Sequence, residues 1–243
     1  MTVKKTYTQS RWSLADIYSS ANGSEMKAAF TELEEKVKAF EERRSDLKES
    51  ISSAEFLKIV HEMEGIAHIL HKLSSYAGLW VTEDTQNQAA LSLMAQTDQL
   101  AAETENRTLF FSLWWKDLSD AAADRLMKDS GDYRYWLEAM RHFKPHTLSE
   151  PEEKIINTKN VTGASAFNTL YDSITNRYTF KVEVDGEMKE LTRGEVMMYV
   201  RQDDANLRAR AFQELYRVYG NDGPILGQIY QTLARDWRNE EVN

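Results

Sequence analysis

The sequence has 243 residues, 42% hydrophobic and 28% charged, with a formal net charge of −9 at pH 7. That apolar content suffices for one large core or two small ones, and it excludes wholesale disorder. The acidic balance excludes the concentrated basic surface that nucleic-acid binding needs; zero cysteines exclude disulfides, thiol catalysis and thiolate metal sites.

The longest apolar stretch, Leu109 to Trp115, is broken by Ser112 and falls far short of the roughly 20 residues of a membrane span. Met1 to Ser10 are polar and basic with no apolar region behind them, so no secretory signal is expected. Together with the lack of cysteine this points to a cytoplasmic protein, in which the sequons at Asn22, Asn106 and Asn160 are chance matches. Three prolines and ten glycines suit long helices and few irregular loops.

The predicted elements are mainly α. After a turn at Asn22-Gly23, Ser24 caps a helix to about Lys48, with Met26, Phe30, Leu33, Val37 and Phe40 forming one apolar stripe. The charged run around Glu41 to Arg44 occupies its solvated faces. Ser52 and Glu55 form a capping-box pattern that opens a second helix through Phe56, Val60, Met63, Ala67 and Leu70 to about Trp80. Asp84 or Thr85 caps a third, carrying Leu91, Met94, Leu100 and Leu109-Phe110-Phe111. Short connectors between these long helices predict antiparallel neighbours in a bundle or wall.

Shorter elements follow: helices over Asp120 to Lys128 and Tyr133 to Phe143, a break at Lys144-Pro145-His146, and a capping box at Ser149 and Glu152. A helix over Ala164 to Ile174 leads to a small β-hairpin, Tyr178 to Val184 and Glu187 to Leu191, around Asp185-Gly186. Thr192 and Glu195 make a third capping box, and helices over Asp204 to Tyr219 and Pro224 to Glu241 close the chain. A soft boundary separates an N-terminal long-helix bundle, 1–144, from a helix-hairpin-helix region, 145–243, with no linker between independent domains.

No catalytic constellation emerges. His61-Glu62 lacks the second histidine of His-Glu-x-x-His, since Gly65 stands where it belongs. His61 and His68 are seven apart, about 10 Å along a helix, too far for two bonds to one zinc. Glu64, His68 and His71 share a helical face, as do Glu138 and His142, but polar residues along a helix groove account for both. Ser165 lies in Gly163-Ala164-Ser165-Ala166-Phe167, without the second glycine of a nucleophile elbow and with no strand before it. No phosphate loop occurs. Trp114-Trp115 beside Phe110 and Phe111 fit packing better than a binding groove. No catalytic, cofactor-binding or metal residue is therefore assigned.

Several segments, in order, resemble the oligoendopeptidase F family of zinc metallopeptidases, relatives of thimet oligopeptidase. Arg11-Trp12-Ser13-Leu14-Ala15-Asp16-Ile17-Tyr18 is similar to the family's opening Trp-x-Leu-x-Asp-Leu-Tyr/Phe segment. Tyr76-Ala77-x-Leu79 with Asp84-Thr85 resembles a helix-to-helix passage, and Phe143-Lys144-Pro145-His146-Thr147-Leu148-Ser149-Glu150-x-Glu152-Glu153 is the most specific match. Thr162-Gly163-x-Ser165-Ala166, Leu170-Tyr171-Asp172, Thr179-Phe180 with its Asp185-Gly186 turn, and Asp204 to Glu241 continue the similarity.

The resemblance implies the N-terminal, non-catalytic part of a hydrolase whose zinc motif, His-Glu-x-x-His with a later glutamate ligand, would lie beyond Asn243. It implies a mainly helical wall of a channel admitting short peptides. Zinc would belong to the full-length enzyme only. The partners implied are the C-terminal catalytic half of the same polypeptide and short peptide substrates, with neither nucleic acid nor membrane. On this reading the chain is a fragment, inactive alone. The alternative is a stand-alone peptide-binding or structural helical protein descended from that family.

Overall fold

The computed structural model describes residues 13–242; Met1 to Ser10, and Arg11 and Trp12 of the opening segment, lie outside the described residues. The chain divides into two compact units, Met1–Val161 and Thr162–Asn243.

The first unit is a bundle of three long helices with shorter ones at one end. Helix α1 spans Ser24–Glu42; of its expected stripe Met26, Leu33, Val37 and Phe40 are buried, while Phe30 is only half-buried at the edge of the core. Its N-cap is Gly23 rather than Ser24. A Cβ at 23 would come within 2.9 Å of Ser20 Oγ and 3.2 Å of Ser20 O, so a side chain is hard to fit there. The helix tightens into a 3₁₀ turn, Arg43–Asp46, short of the expected Lys48.

Helix α2 runs Ser53–Glu83, with the Ser52 side chain accepting from Glu55 N. Helix α3 runs Gln88–Asp117 and is capped by Asn87, whose side chain accepts from Ala89 N and Ala90 N. Asp84 was an expected cap, but its carboxylate accepts from Gln86 N and closes the connecting turn instead. All three helices pack on one another. Phe40 meets Phe110 and Phe111 at ring distances of 5.5 and 6.1 Å, and Phe56 stacks on Trp115 at 5.1 Å.

Buried threonines stay satisfied within α3, with Thr97 Oγ1 donating to Met94 O and Thr108 Oγ1 to Thr104 O. Arg107 reaches from α3 to Glu34 and Glu41 on α1, at 2.6 and 2.7 Å. Such partly exposed pairs contribute about 0.2–1 kcal/mol each, so the apolar core dominates and the pairs fix the helices' mutual setting.

Helices α4 (Asp120–Met127) and α5 (Arg134–Arg141) close the end of α3. Arg141 donates to Trp115 O and Leu118 O, covering the last carbonyls of α3. Helix α6, Glu150–Thr162, buries none of its residues. It is tied to the bundle by polar contacts: Arg44 forks onto Glu150 at 2.8 and 2.6 Å, and Asn106 bonds Asn157 and Thr158.

The second unit comprises α7 (Ala164–Thr175), β1 (Phe180–Val184), β2 (Glu187–Leu191), α8 (Arg193–Tyr199), α9 (Ala205–Asn221) and α10 (Gly223–Val242). The strands pair antiparallel, Phe180 opposite Leu191 and Val184 opposite Glu187. Asp185 and Gly186 both have positive φ, 55° and 80°, as the tight primed turn requires. The alternate residues Phe180, Val182 and Val184 are buried, and α9 packs against β1. Glu214 on α9 accepts from Lys181 N, and Thr192 with Glu195 forms the full capping box that starts α8.

Tyr178 Oη donates to Asp222 Oδ2 at 2.7 Å, linking the entry to the hairpin with the end of α9. Burial first, then this bond, pushes the phenol up to about 12. The folded unit thus favours the neutral phenol. This contribution is complete below about pH 10, the value of a free phenol, and is lost as pH rises through about 12. Tyr178→Phe is expected to cost about 1–2 kcal/mol at pH 7. Thermal melts should show wild type and variant converging as pH climbs from 10 towards 12.

Candidate functional site

The first candidates are the histidines and acids of α2, and the structure disperses them. Tyr133 Oη donates to Glu64 Oε2 at 2.7 Å and lies 3.0 Å from His61 Nδ1. Its one proton serves Glu64, so His61 donates at Nδ1. Glu62, next in sequence to His61, places both oxygens on Arg43 at 2.9 and 2.6 Å. His71 Nδ1 donates to Ala67 O at 2.8 Å, and His68 lines a separate groove with Asp16, Glu25, Glu32 and Lys72. Glu138 and His142 are exposed on and just after α5.

Zinc in a catalytic site takes three protein ligands. Among the described residues no group of three or more His, Cys, Asp or Glu could hold a metal. These residues do not fit the ion that the family resemblance implies. Ser165 sits exposed in the first turn of α7, with a helix rather than a strand before it.

The aromatic cluster divides. Phe111 and Trp115 are fully buried, and the Trp115 indole donates to Leu137 O at 2.8 Å. Trp114 is only half-buried and lines a groove of about 530 Å³ with Leu47, Phe110, Leu113 and Leu148. Spacing along one segment favoured packing over a groove at Trp114 and Phe110; the groove forms only where three segments, 44–47, 110–117 and 144–150, come together. A larger groove of about 870 Å³ runs along α1 and α2, where Arg43 and Glu62 close on each other.

A third feature is apolar surface facing outwards. On α6, Ile155 and Ile156 are exposed. In the second unit the exposed side chains include Leu170 and Tyr171 on α7, Phe212 and Tyr216 on α9, and Ile225, Tyr230 and Trp237 on α10. Phe212 and Tyr216 pair at 4.7 Å, while Tyr230 and Trp237, seven apart, share one face of α10. Trp237 is 62% exposed. Large aromatics gathered on the outside of helices mark surfaces that partners cover. No helix among the described residues is long and apolar enough to cross a membrane.

A family model described as Oligopeptidase F matches residues 114–180. An oligoendopeptidase F homolog from Borreliella burgdorferi is 24% identical over 226 residues, covering 90% of this chain and 36% of that protein. Oligopeptidase PepF from Bacillus subtilis is 24% identical over 157 residues, covering 62% of this chain and 23% of its own length. The chain thus spans only a minor part of the curated relatives it matches. A crystal structure of oligoendopeptidase-F from Enterococcus faecium shares the fold with a TM-score of 0.68 at 20% identity, over 86% of this chain and 42% of that one. The resemblance carried by the sequence is matched by these relatives and by this fold: the chain is related to the N-terminal part of the oligoendopeptidase F family.

Proposed function

We propose that this chain is the N-terminal, non-catalytic portion of a cytoplasmic, zinc-dependent oligoendopeptidase that hydrolyses short peptides, and that it forms one wall of the substrate channel. One observation carries this reading. Similarity to the Borreliella burgdorferi relative runs through 90% of this chain but only 36% of that protein. The outward apolar side chains of α6, α7, α9 and α10 support it, since the remaining length of such a polypeptide would cover them. The partners in this reading are the catalytic half of the same polypeptide and short peptides, with neither nucleic acid nor membrane involved.

Zinc would be held by the catalytic half, and no chemical step falls to the residues described above. Their contribution is positional. A helical wall with a well-packed core limits which peptides enter and keeps them oriented, and orientation lowers the barrier without any acid or base from the wall. The test is turnover of a quenched fluorescent peptide. The 243-residue chain alone should show none. The same chain extended through its downstream reading frame should show turnover that a chelator abolishes.

A further inference from the structure

The two edges of the hairpin are not alike. Val184 and Glu187 close the two-residue turn, so Val184–Glu187, Val182–Lys189 and Phe180–Leu191 are the hydrogen-bonded pairs. The residues between them turn their backbone groups away from the ladder. On β1 these are Lys181 and Glu183, and α9 answers them. Lys181 N donates to Glu214 Oε1 at 2.9 Å, and Arg210 Nη2 donates to Glu183 O at 3.4 Å. On β2 they are Met188 and Glu190. Among the described residues the sheet has no third strand, and nothing bonds the outward N–H and C=O of these two. The fold covers one edge and leaves the other open.

An open edge is a template for another strand, and charged side chains ordinarily protect it. The charges of β2 give no protection against a second copy of the same strand. Glu187, Met188 and Lys189 stand in that order, so an antiparallel copy centred on Met188 sets Glu187 opposite Lys189 twice. Glu190 then faces Gly186, which has no side chain to obstruct it. Registers centred on Glu187, Lys189 or Glu190 each set like charges face to face. Charge therefore selects one register.

The side chains are placed to serve it. Among the described residues neither Glu187 nor Lys189 has a charged partner within its own chain; Lys189 Nζ lies 6.0 Å over the Tyr199 ring. Met188 is 66% exposed, on the face of the hairpin opposite buried Phe180, Val182 and Val184, and would meet Met188 of the second copy across the axis.

From this arrangement we infer that β2 pairs with β2 of a second copy of this chain, making a four-stranded antiparallel sheet about a two-fold axis at Met188. The strand has five residues, and so short a contact falls well below the roughly 1,000 Å² of a stable interface. The association is accordingly weak, with a Kd of about 0.1–1 mM. The inference goes beyond the proposed function and does not rest on it.

Sedimentation equilibrium of the 243-residue chain, up to about 1 mM, should show monomer and dimer in exchange. Glu187→Lys sets lysine against lysine at both pairs and should weaken the dimer about tenfold. Lys189→Glu should do the same by setting glutamate against glutamate. The double reversal, Glu187→Lys with Lys189→Glu, rebuilds both pairs and should bring the Kd back to within about threefold of wild type. A monomer at every concentration would overturn the inference. So would a double reversal that stays monomeric. Association that survives either single reversal would also overturn it, and would assign the contact to the exposed aromatics of α9 and α10 instead.

Discussion

Replacing Trp115 by alanine is expected to unfold the first unit or bring it close to unfolding. Trp115 is fully buried against Phe56, and its indole N–H donates to Leu137 O at 2.8 Å. Large-to-small changes of this kind cost about 3–5 kcal/mol, because the cavity left behind collapses only in part. The Leu137 carbonyl, which keeps its helical donor within α5, also loses this second one, about 0.5–1.5 kcal/mol more. Typical domains have only about 5–15 kcal/mol to lose. Trp115→Phe keeps most of the ring volume and loses the hydrogen bond, so it should be the milder variant. Urea melts followed by circular dichroism check the order: wild type most stable, Trp115→Phe next, Trp115→Ala least. Equal midpoints for the two variants would mean the hydrogen bond dominates and the cavity does not matter.

Phe180→Ala should have the second largest effect, confined to a much smaller core. The second unit is built around seven buried hydrophobic residues: Phe180, Val182, Val184, Leu191, Val196, Ala211 and Val218. Phe180 is the largest, stacked 6.4 Å from Tyr219 and set on the hairpin face that α9 covers. Its loss costs about 3–5 kcal/mol, and a small core leaves little to absorb it. Hydrogen exchange should show the hairpin amides losing protection. Met188→Ala on the same hairpin, 66% exposed, should leave them protected.

Much of this fold was legible in the sequence wherever one segment carries its own pattern. Four of the five stripe residues from Met26 to Phe40 bury as their spacing demands, Asp185-Gly186 turns the hairpin, and Thr192 with Glu195 starts α8. The misses concern competition between neighbours. Ser24 and Asp84 are both good caps in isolation, yet Ser24 falls inside the first turn after the N-cap Gly23, and Asp84 is taken by the turn it helps to close, which passes the capping to Asn87.

The candidate site was much less legible, since it depends on which apolar residues end up outside. Spacing marks Tyr230 and Trp237 as one face of a helix but cannot say that this face has nothing packed on it. Nor could it bring Tyr133 to His61 and Glu64, which are 72 and 69 residues away. The groove beside Trp114 likewise joins segments about a hundred residues apart, Arg44 and Glu150 among them. Contacts of that range are set by the packing of whole helices and leave no local signature.

A chain that forms one wall of a peptidase, as proposed, needs the rest of that polypeptide to act. Turnover of a quenched fluorescent peptide, with and without zinc, by the purified 243-residue chain and by the same chain extended through its downstream reading frame tests it most directly. No turnover is expected from the chain alone, and chelator-sensitive turnover from the extended protein. Zinc-dependent turnover by the chain alone, lost on His61→Ala, would contradict it.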